Sequence, residues 1–467
     1  MSIDRALRET SSFRDPSGFL FYKDSSLYRQ VNFSYKKKYD HFIAKGLYEH
    51  LISDGLLIPH EDMTEGFSGP NSAYKILKPE FIDFISYPYE WCFSQYKHAA
   101  LLTLDVQKAA LKFGMTLKDA SVYNVQFRNG KPIFIDTLSF ELYESGAPWK
   151  AYRQFCQHFL APLLLMSYKD IRFSQLMKVY IDGIPLDLAS SVLPLKTKFR
   201  FSILTHIHLH ARAQKHYSKK VEKPRLRKIS KHALVAFIGN LYSLVRSLKW
   251  KPEGTEWSDY YLNTNYSETS SRSKKKIVTQ FLQVIPGVKS TWDLGSNSGE
   301  FSRITSKMDI KTISFDIDPA AVEINYLKNL DENNMLILPL LCDLTNPSPD
   351  IGWGNQERTS LINRGPVDTV LALALVHHLA ISNNIPLFDI SSLFSKLSRY
   401  LIIEFVPKED SKVKYLLSTR EDIFDKYNIE NFEKEFSLFY RILNKQKVSD
   451  SVRTIYLMER KAQFEEH

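Results

Sequence analysis

The chain has 467 residues, 44% hydrophobic and 24% charged, the proportions of a globular protein with material for roughly two to four domains. A net charge of +10 is modest over that length, so it permits an acidic or nucleic-acid partner without demanding one. Three scattered cysteines, Cys92, Cys156 and Cys342, exclude a disulfide framework and make no metal-ligand spacing, so no metal site is expected. The opening, Met1-Ser2-Ile3-Asp4-Arg5, leads into no apolar signal segment, and the apolar run 159–166 is too short to span a bilayer. A cytoplasmic protein with reduced thiols and no transmembrane segment is the expectation.

Residues 13–35 alternate as a hairpin about Lys23-Asp24-Ser25-Ser26, and Phe42, Ile43, Leu47 and Leu51 predict one helix over 39–53. Residues 74–77 and 81–86 read as strands, and 99–113 as an amphipathic helix. Asp119 follows, then Asn124 five positions later, the turn Arg128-Asn129-Gly130-Lys131, and an apolar strand ending in Asp136. Residues 147–195 are helical and aromatic, with Trp149, Tyr152, Phe155, His158 and Phe159. Such a stripe belongs in a core, with His158 a satisfied core or boundary histidine.

Between Arg212 and Lys231 the composition turns basic, with Lys215, Lys219, Lys220, Lys223, Arg225, Arg227 and Lys228 against Glu222 alone. It reads either as a solvated linker or as a contact for RNA, acidic lipid or an acidic partner. The amphipathic helix 233–248 follows, suited to packing on a domain or to lying on a membrane surface.

Thr291-Trp292-Asp293-Leu294-Gly295-Ser296-Asn297-Ser298-Gly299 carries the densest chemical content. A hydrophobic strand ends in an acid and passes through a small-residue turn into a helix, which lets backbone N–H groups approach a ligand closely. A second strand, 312–315, ends in Asp316 about twenty residues on, where βαβ nucleotide folds place an acid on ribose hydroxyls. A third run, 335–341, closes in Cys342-Asp343. Asn297 and Glu300 exclude the nicotinamide-type glycine pattern, and Asn is the non-glycine residue most tolerant of left-handed backbone. The apolar strand 367–375 ends in Val376-His377-His378-Leu379, and 400–405 places Glu404 where an unpaired carboxylate is costly. Glu404 must therefore have a partner or face a pocket. Residues 436–443 and 452–458 read as a closing antiparallel hairpin, after a helix from about 422.

These motifs resemble the S-adenosylmethionine site of class I methyltransferases. The resemblance implies an α/β fold whose C-terminal half is a Rossmann-like seven-stranded methyltransferase sheet. It implies cofactor contacts from Asp293 near the methionine end, from the turn of Gly295, Asn297 and Gly299, from Asp316 on the ribose, and from Asp343 on the adenine amine. His377 and His378 stand where that family carries catalytic and substrate groups, and Glu404 is a further catalytic candidate because of its place at the end of an apolar strand. One imidazole is expected to take a proton, since an adjacent pair points in different directions. Tyr266, among elements that fold over the cofactor in that family, is a lid candidate.

Asp119, Asn124 and Asp136 resemble a kinase catalytic loop with its metal-binding Asp, in an N-terminal α+β half. The departures are that only Gly18 stands near a Gly-rich loop, Arg29 takes the strand lysine's place, and Leu117 replaces the usual His or Tyr. The alternative is that Asp119 and Asn124 cap turns and Asp136 ends a strand. Three parts are expected: an accessory domain over 1–205, a basic linker and helix over 206–255, and a methyltransferase domain over 256–467. The whole chain, including Gln154-Phe155-Cys156-Gln157-His158-Phe159, is similar to a bacterial group, some of whose members carry a nodulation-protein label. The function implied is methyl transfer from S-adenosyl-L-methionine to an acceptor the sequence does not name. The alternatives are a bifunctional protein with an N-terminal phosphotransferase, or a non-catalytic kinase-like adaptor that recruits substrate. No RNA-binding module is visible.

Overall fold

A computed structural model describes residues 8–67, 73–217, 228–252, 268–418 and 420–462. It divides into two units, Met1–Trp250 with Asp350–Arg358, and Lys251–Pro349 with Thr359–His467.

In the first unit β1 (Gly18–Lys23) and β2 (Ser26–Asn32) form the expected hairpin. Asp24 and Ser25 take positive φ at its turn. With β3 (His60–Asp62) and β4 (Ala73–Pro79) they make an antiparallel sheet in the order β1-β2-β4-β3. The single helix expected over 39–53 is two, Lys36–Ala44 and Leu47–Ser53, because Gly46 adopts φ 76° between them. The strand expected at 81–86 does not form. Pro79 ends β4, and the Ser86 N–H goes to the Gln126 side chain at 2.9 Å instead of to a neighbouring strand.

Helix Phe93–Lys112 starts earlier than its apolar pattern, where the Gln95 carboxamide accepts the Cys92 N–H at 2.9 Å. It packs against helix Lys231–Ser247, which buries Leu234, Ile238, Leu241 and Val245, so domain packing is that helix's use. Two short pairs follow: β5 (Met115–Leu117) with β8 (Phe140–Leu142), and β6 (Val125–Arg128) with β7 (Lys131–Phe134). Asn129 and Gly130, both left-handed, turn the second pair.

The second unit is built on seven strands: β9 (Ser290–Leu294), β10 (Lys311–Asp316), β11 (Ile337–Leu341), β12 (Val367–Ala372), β13 (Ser398–Phe405), β14 (Tyr440–Lys447) and β15 (Thr454–Arg460). Their order is β11-β10-β9-β12-β13-β15-β14, with β15 antiparallel to both of its neighbours and the first five strands parallel. This is the Rossmann-like sheet implied by the sequence resemblance. Buried from end to end, β11 shows why its sequence reads as an unbroken apolar run. The closing hairpin starts at Tyr440 and not near 436. Asn428 caps helix Ile429–Phe439 by accepting the Asn431 N–H, and Phe432 and Phe436 bury one face of that helix. Strand order reverses between β9 and β12, so the loops after those two strands diverge and open a crevice at their carboxyl ends.

Candidate functional site

Three left-handed residues shape the turn after β9: Gly295 (φ 73°), Asn297 (φ 49°) and Gly299 (φ 78°). The N–H groups of Gly295 and Ser296 both donate to the Phe315 carbonyl at 2.9 Å, folding the turn over β10. The Asn297 N–H donates to Asp316 Oδ2 at 2.7 Å, and the Asn297 side chain accepts the Ser298 N–H at 2.8 Å. Asp316 Oδ1 accepts the Asp318 N–H at 2.8 Å. Burial pushes the Asp316 carboxyl up to about 6, against the opposing pull of those N–H donors. Asp293 accepts the Ser302 hydroxyl at 2.6 Å, tying the strand end to the following helix. Burial raises Asp293 to about 6 as well, with the Ser302 bond opposing. Asp293, Gly295, Asn297, Gly299 and Asp316 thus form one connected group. Asp343 ends the chain's path out of β11, and its carboxylate accepts the Thr345 N–H at 2.9 Å and hydroxyl at 2.7 Å.

Sequence reasoning missed what holds this turn. Arg303 Nη1 donates to the carbonyls of Ser298 (2.8 Å) and Gly299 (2.9 Å) and to Asn325 Oδ1 (3.0 Å). Its Nη2 reaches Asn329 Oδ1 at 2.9 Å and its Nε reaches Glu332 at 2.8 Å. Asn325 in turn donates to Ser314 Oγ, which lies 2.9 Å from Ser302 Oγ. The available signal was Asn325 and Asn329, four apart on the buried side of helix Pro319–Asp331.

On the other side of the crevice the chain leaves β12 through Ala374, held at φ 53°, before His377 and His378. The two rings do not diverge as expected: their centroids are 4.2 Å apart. They sit on a helical turn, where neighbours are about 100° apart, and not on opposite faces of a strand. His377 is buried, and its Nδ1 meets no hydrogen-bond partner. Burial, then the neighbouring His378, Arg453 and Lys274, hold its pKa well below the ordinary histidine value. Burial and Arg453 bring His378 to about 4. Both imidazoles are therefore neutral at pH 7.

Glu404 has the partner its burial demanded. Lys274, from helix Glu268–Val284, donates to its Oε2 at 2.6 Å, and Arg453 Nη1 lies 3.8 Å from its Oε1. Arg453 grips Asp410 through Nε at 2.7 Å and Nη2 at 3.0 Å. A cavity of about 340 Å³ opens beside this group, lined by Ser270, Asp410, Ser411, Lys412 and Arg453 among others.

In the first unit Asp119, Asn124 and Asp136 also come together. Asp119 accepts the Ser121 N–H at 2.9 Å and Gln154 Nε2 at 2.7 Å; burial and the nearby Asp136 raise its pKa. Asn124 donates to Ser139 Oγ at 3.0 Å, and the Ser139 hydroxyl donates to Asp136. Arg29 is ion-paired with Asp136. Burial alone would raise Asp136, but Arg29, Ser139 and the Leu138 N–H outweigh it and hold the carboxyl below its usual range. Segment Asp350–Arg358 belongs to this unit, with Glu357 paired to Arg14 and the Arg358 guanidinium 3.9 Å from the Tyr123 ring centroid. His158 is buried and accepts the Val122 N–H at 3.4 Å, a core histidine. Tyr266 and residues 218–227 of the basic stretch lie outside the described residues. Among the described residues, no helix is long and apolar enough to cross a membrane.

The strand order and the acid-flanked turn define a class I methyltransferase-like fold. The chain is 35% identical over 464 residues to the nodulation protein NoeA of Rhizobium meliloti (strain 1021), covering 97% of this chain and 96% of that protein. It belongs to the NoeA nodulation-protein family. No protein-family model matches it. Among solved structures it is similar to magnesium protoporphyrin IX methyltransferase from Synechocystis PCC 6803 with bound SAH, at TM-score 0.31 and 16% identity, covering 44% of this chain and 93% of that one. It is also similar to the bifunctional kinase-methyltransferase WbdD, at TM-score 0.30 and 15% identity, covering 47% of this chain and 46% of that one. The fold rests on the strand order itself.

Two stability outcomes follow from the contacts in the second unit. A Cβ on Gly299 would lie 2.4 Å from Asn325 Oδ1, an atom Arg303 holds, in a left-handed backbone. Gly299→Ala should cost roughly 2–4 kcal/mol in denaturant unfolding; an unchanged midpoint would contradict the clamp. Lys274→Met strands the buried Glu404 carboxylate and should cost roughly 3 kcal/mol, most of it recovered when Glu404→Gln is added. A neutral single variant would show that Lys274 is not the partner.

Proposed function

We propose that the chain is an S-adenosylmethionine-dependent methyltransferase, and the observation that carries this reading is Asp316 at the end of β10, with its carboxylate on the left-handed turn after β9. The bound cofactor supplies an electrophilic methyl group on a sulfonium. A carboxylate has about four acceptor sites, so lone pairs remain on Asp316 for ribose hydroxyls beside its backbone N–H bonds. Gly295, Asn297 and Gly299 give the turn its shape, and Asp343 is the candidate for the adenine amine. His377, neutral and with Nδ1 unpartnered, is the candidate to take a proton from an acceptor hydroxyl or amine. Glu404, committed to Lys274, is better suited to fixing the cations of that bank than to proton transfer. The acceptor enters this reading only as a nucleophile reaching the carboxyl ends of β12 and β13.

A second proposal concerns the first unit: its kinase-like group is non-catalytic and serves recruitment. Asp136, the would-be magnesium ligand, already carries a guanidinium that never loses its charge. Asp136→Asn should therefore act on stability, lowering it by roughly 1–3 kcal/mol. The native contribution of Asp136 is present above the unfolded carboxyl pKa and fades as pH falls through its lowered folded value.

Asp316→Ala should weaken S-adenosylmethionine binding ten- to a hundredfold, about 1.5–3 kcal/mol, in calorimetry on a variant that melts as a folded protein. Because Asp316 titrates near 6, wild-type affinity should fall as pH is lowered through that value. The same raised pKa makes the folded unit bind more protons than the unfolded chain between about 4 and 6, so its stability declines as pH rises across that window. Affinity unchanged in Asp316→Ala would sink the ribose assignment.

A further inference from the structure

The segment Leu195-Lys196-Thr197-Lys198-Phe199-Arg200-Phe201 of the first unit exposes three large apolar side chains. Leu195 is 71% exposed, Phe199 89% and Phe201 78%. Single exposed apolar residues are ordinary, but three within seven positions, alternating with cations, are not.

The segment is held, not loose. Thr197 is fully buried and donates to the Pro194 carbonyl at 2.7 Å. His208 bridges Thr197 Oγ1 at 2.9 Å and Ser190 Oγ at 2.8 Å, so one buried imidazole fastens the segment to helix Leu186–Val192. With Thr197 turned inward, its neighbours are turned out. Lys196 and Arg200 each stand 5.8 Å from the ring centroid of the half-buried Tyr168. In the sequence no Asp or Glu occurs between Asp187 and Glu222.

From this geometry we propose that the segment 195–201 is a docking surface for an anionic phospholipid membrane. Lys196, Lys198 and Arg200 meet headgroup phosphates, while Leu195, Phe199 and Phe201 enter the boundary of the acyl chains. A nucleic-acid surface would use the cations and rings equally, but Leu195 has no face on which a base could stack. The proposal is independent of the cofactor site.

The test is co-sedimentation of the full chain with vesicles of phosphatidylcholine alone and with phosphatidylglycerol added, across a salt series. The chain should bind only the anionic vesicles, and less tightly as salt rises. Phe199→Ser with Phe201→Ser should weaken binding roughly tenfold per residue. Lys196→Gln, Lys198→Gln and Arg200→Gln together should weaken it on the order of a hundredfold. Both variants change side chains that are exposed or, at Lys198, half-buried, and should melt at the wild-type temperature. Failure to bind anionic vesicles, or equal binding by the variants, overturns the proposal. So does a single-stranded RNA probe or self-association, read by sedimentation velocity, that depends on these residues while vesicles go unbound.

Discussion

One guanidinium organises the carboxyl end of the second unit's sheet. Arg303 takes two carbonyls of the turn after β9 and two asparagines of the helix after β10, so the turn cannot shift without breaking several charge-assisted hydrogen bonds. That fixes Asn297, whose left-handed backbone aims its N–H at Asp316, and the two strand ends become one surface. Gly299 is needed because Asn325, held by the same guanidinium, leaves no room for a Cβ. The raised pKa values of Asp293 and Asp316 are the cost of placing two carboxyls in so closed a junction.

The opposite bank of the crevice obeys a different constraint, buried charge. Lys274, Glu404, Arg453 and Asp410 alternate in sign through contacts of 2.6, 3.8 and 2.7 Å, each charge compensating the next. Burial first, and then these cations, depress the histidines beside them, which keeps an imidazole lone pair after β12. In the first unit the same constraint pairs Arg29 with the buried Asp136.

The connected group around Asp316 is legible in the sequence because strand ends, acids and small-residue turns recur at spacings set by the βαβ unit. Asn297 could be read as a glycine substitute from its backbone tolerance alone. Arg303 could not, since the asparagines it holds lie 22 and 26 residues away, and their spacing of four marks a buried polar face without naming its partner. Lys274 is 130 positions from Glu404, so the sequence signals that a partner exists but not which one. The unbroken helix over 39–53 fails for a local reason, the left-handed Gly46, whereas the strand at 81–86 is lost to an acceptor 40 residues away, the Gln126 side chain. The exposure of Phe199 depends on a buried threonine two residues before it and a histidine nine residues after, which periodicity does not report.

The most direct measurement is calorimetric titration of the intact chain with S-adenosylmethionine and, separately, with magnesium-ATP. Saturable binding of the first, without heat from the second, is the result this account predicts. Absence of cofactor binding, or saturable binding of magnesium-ATP, would contradict it.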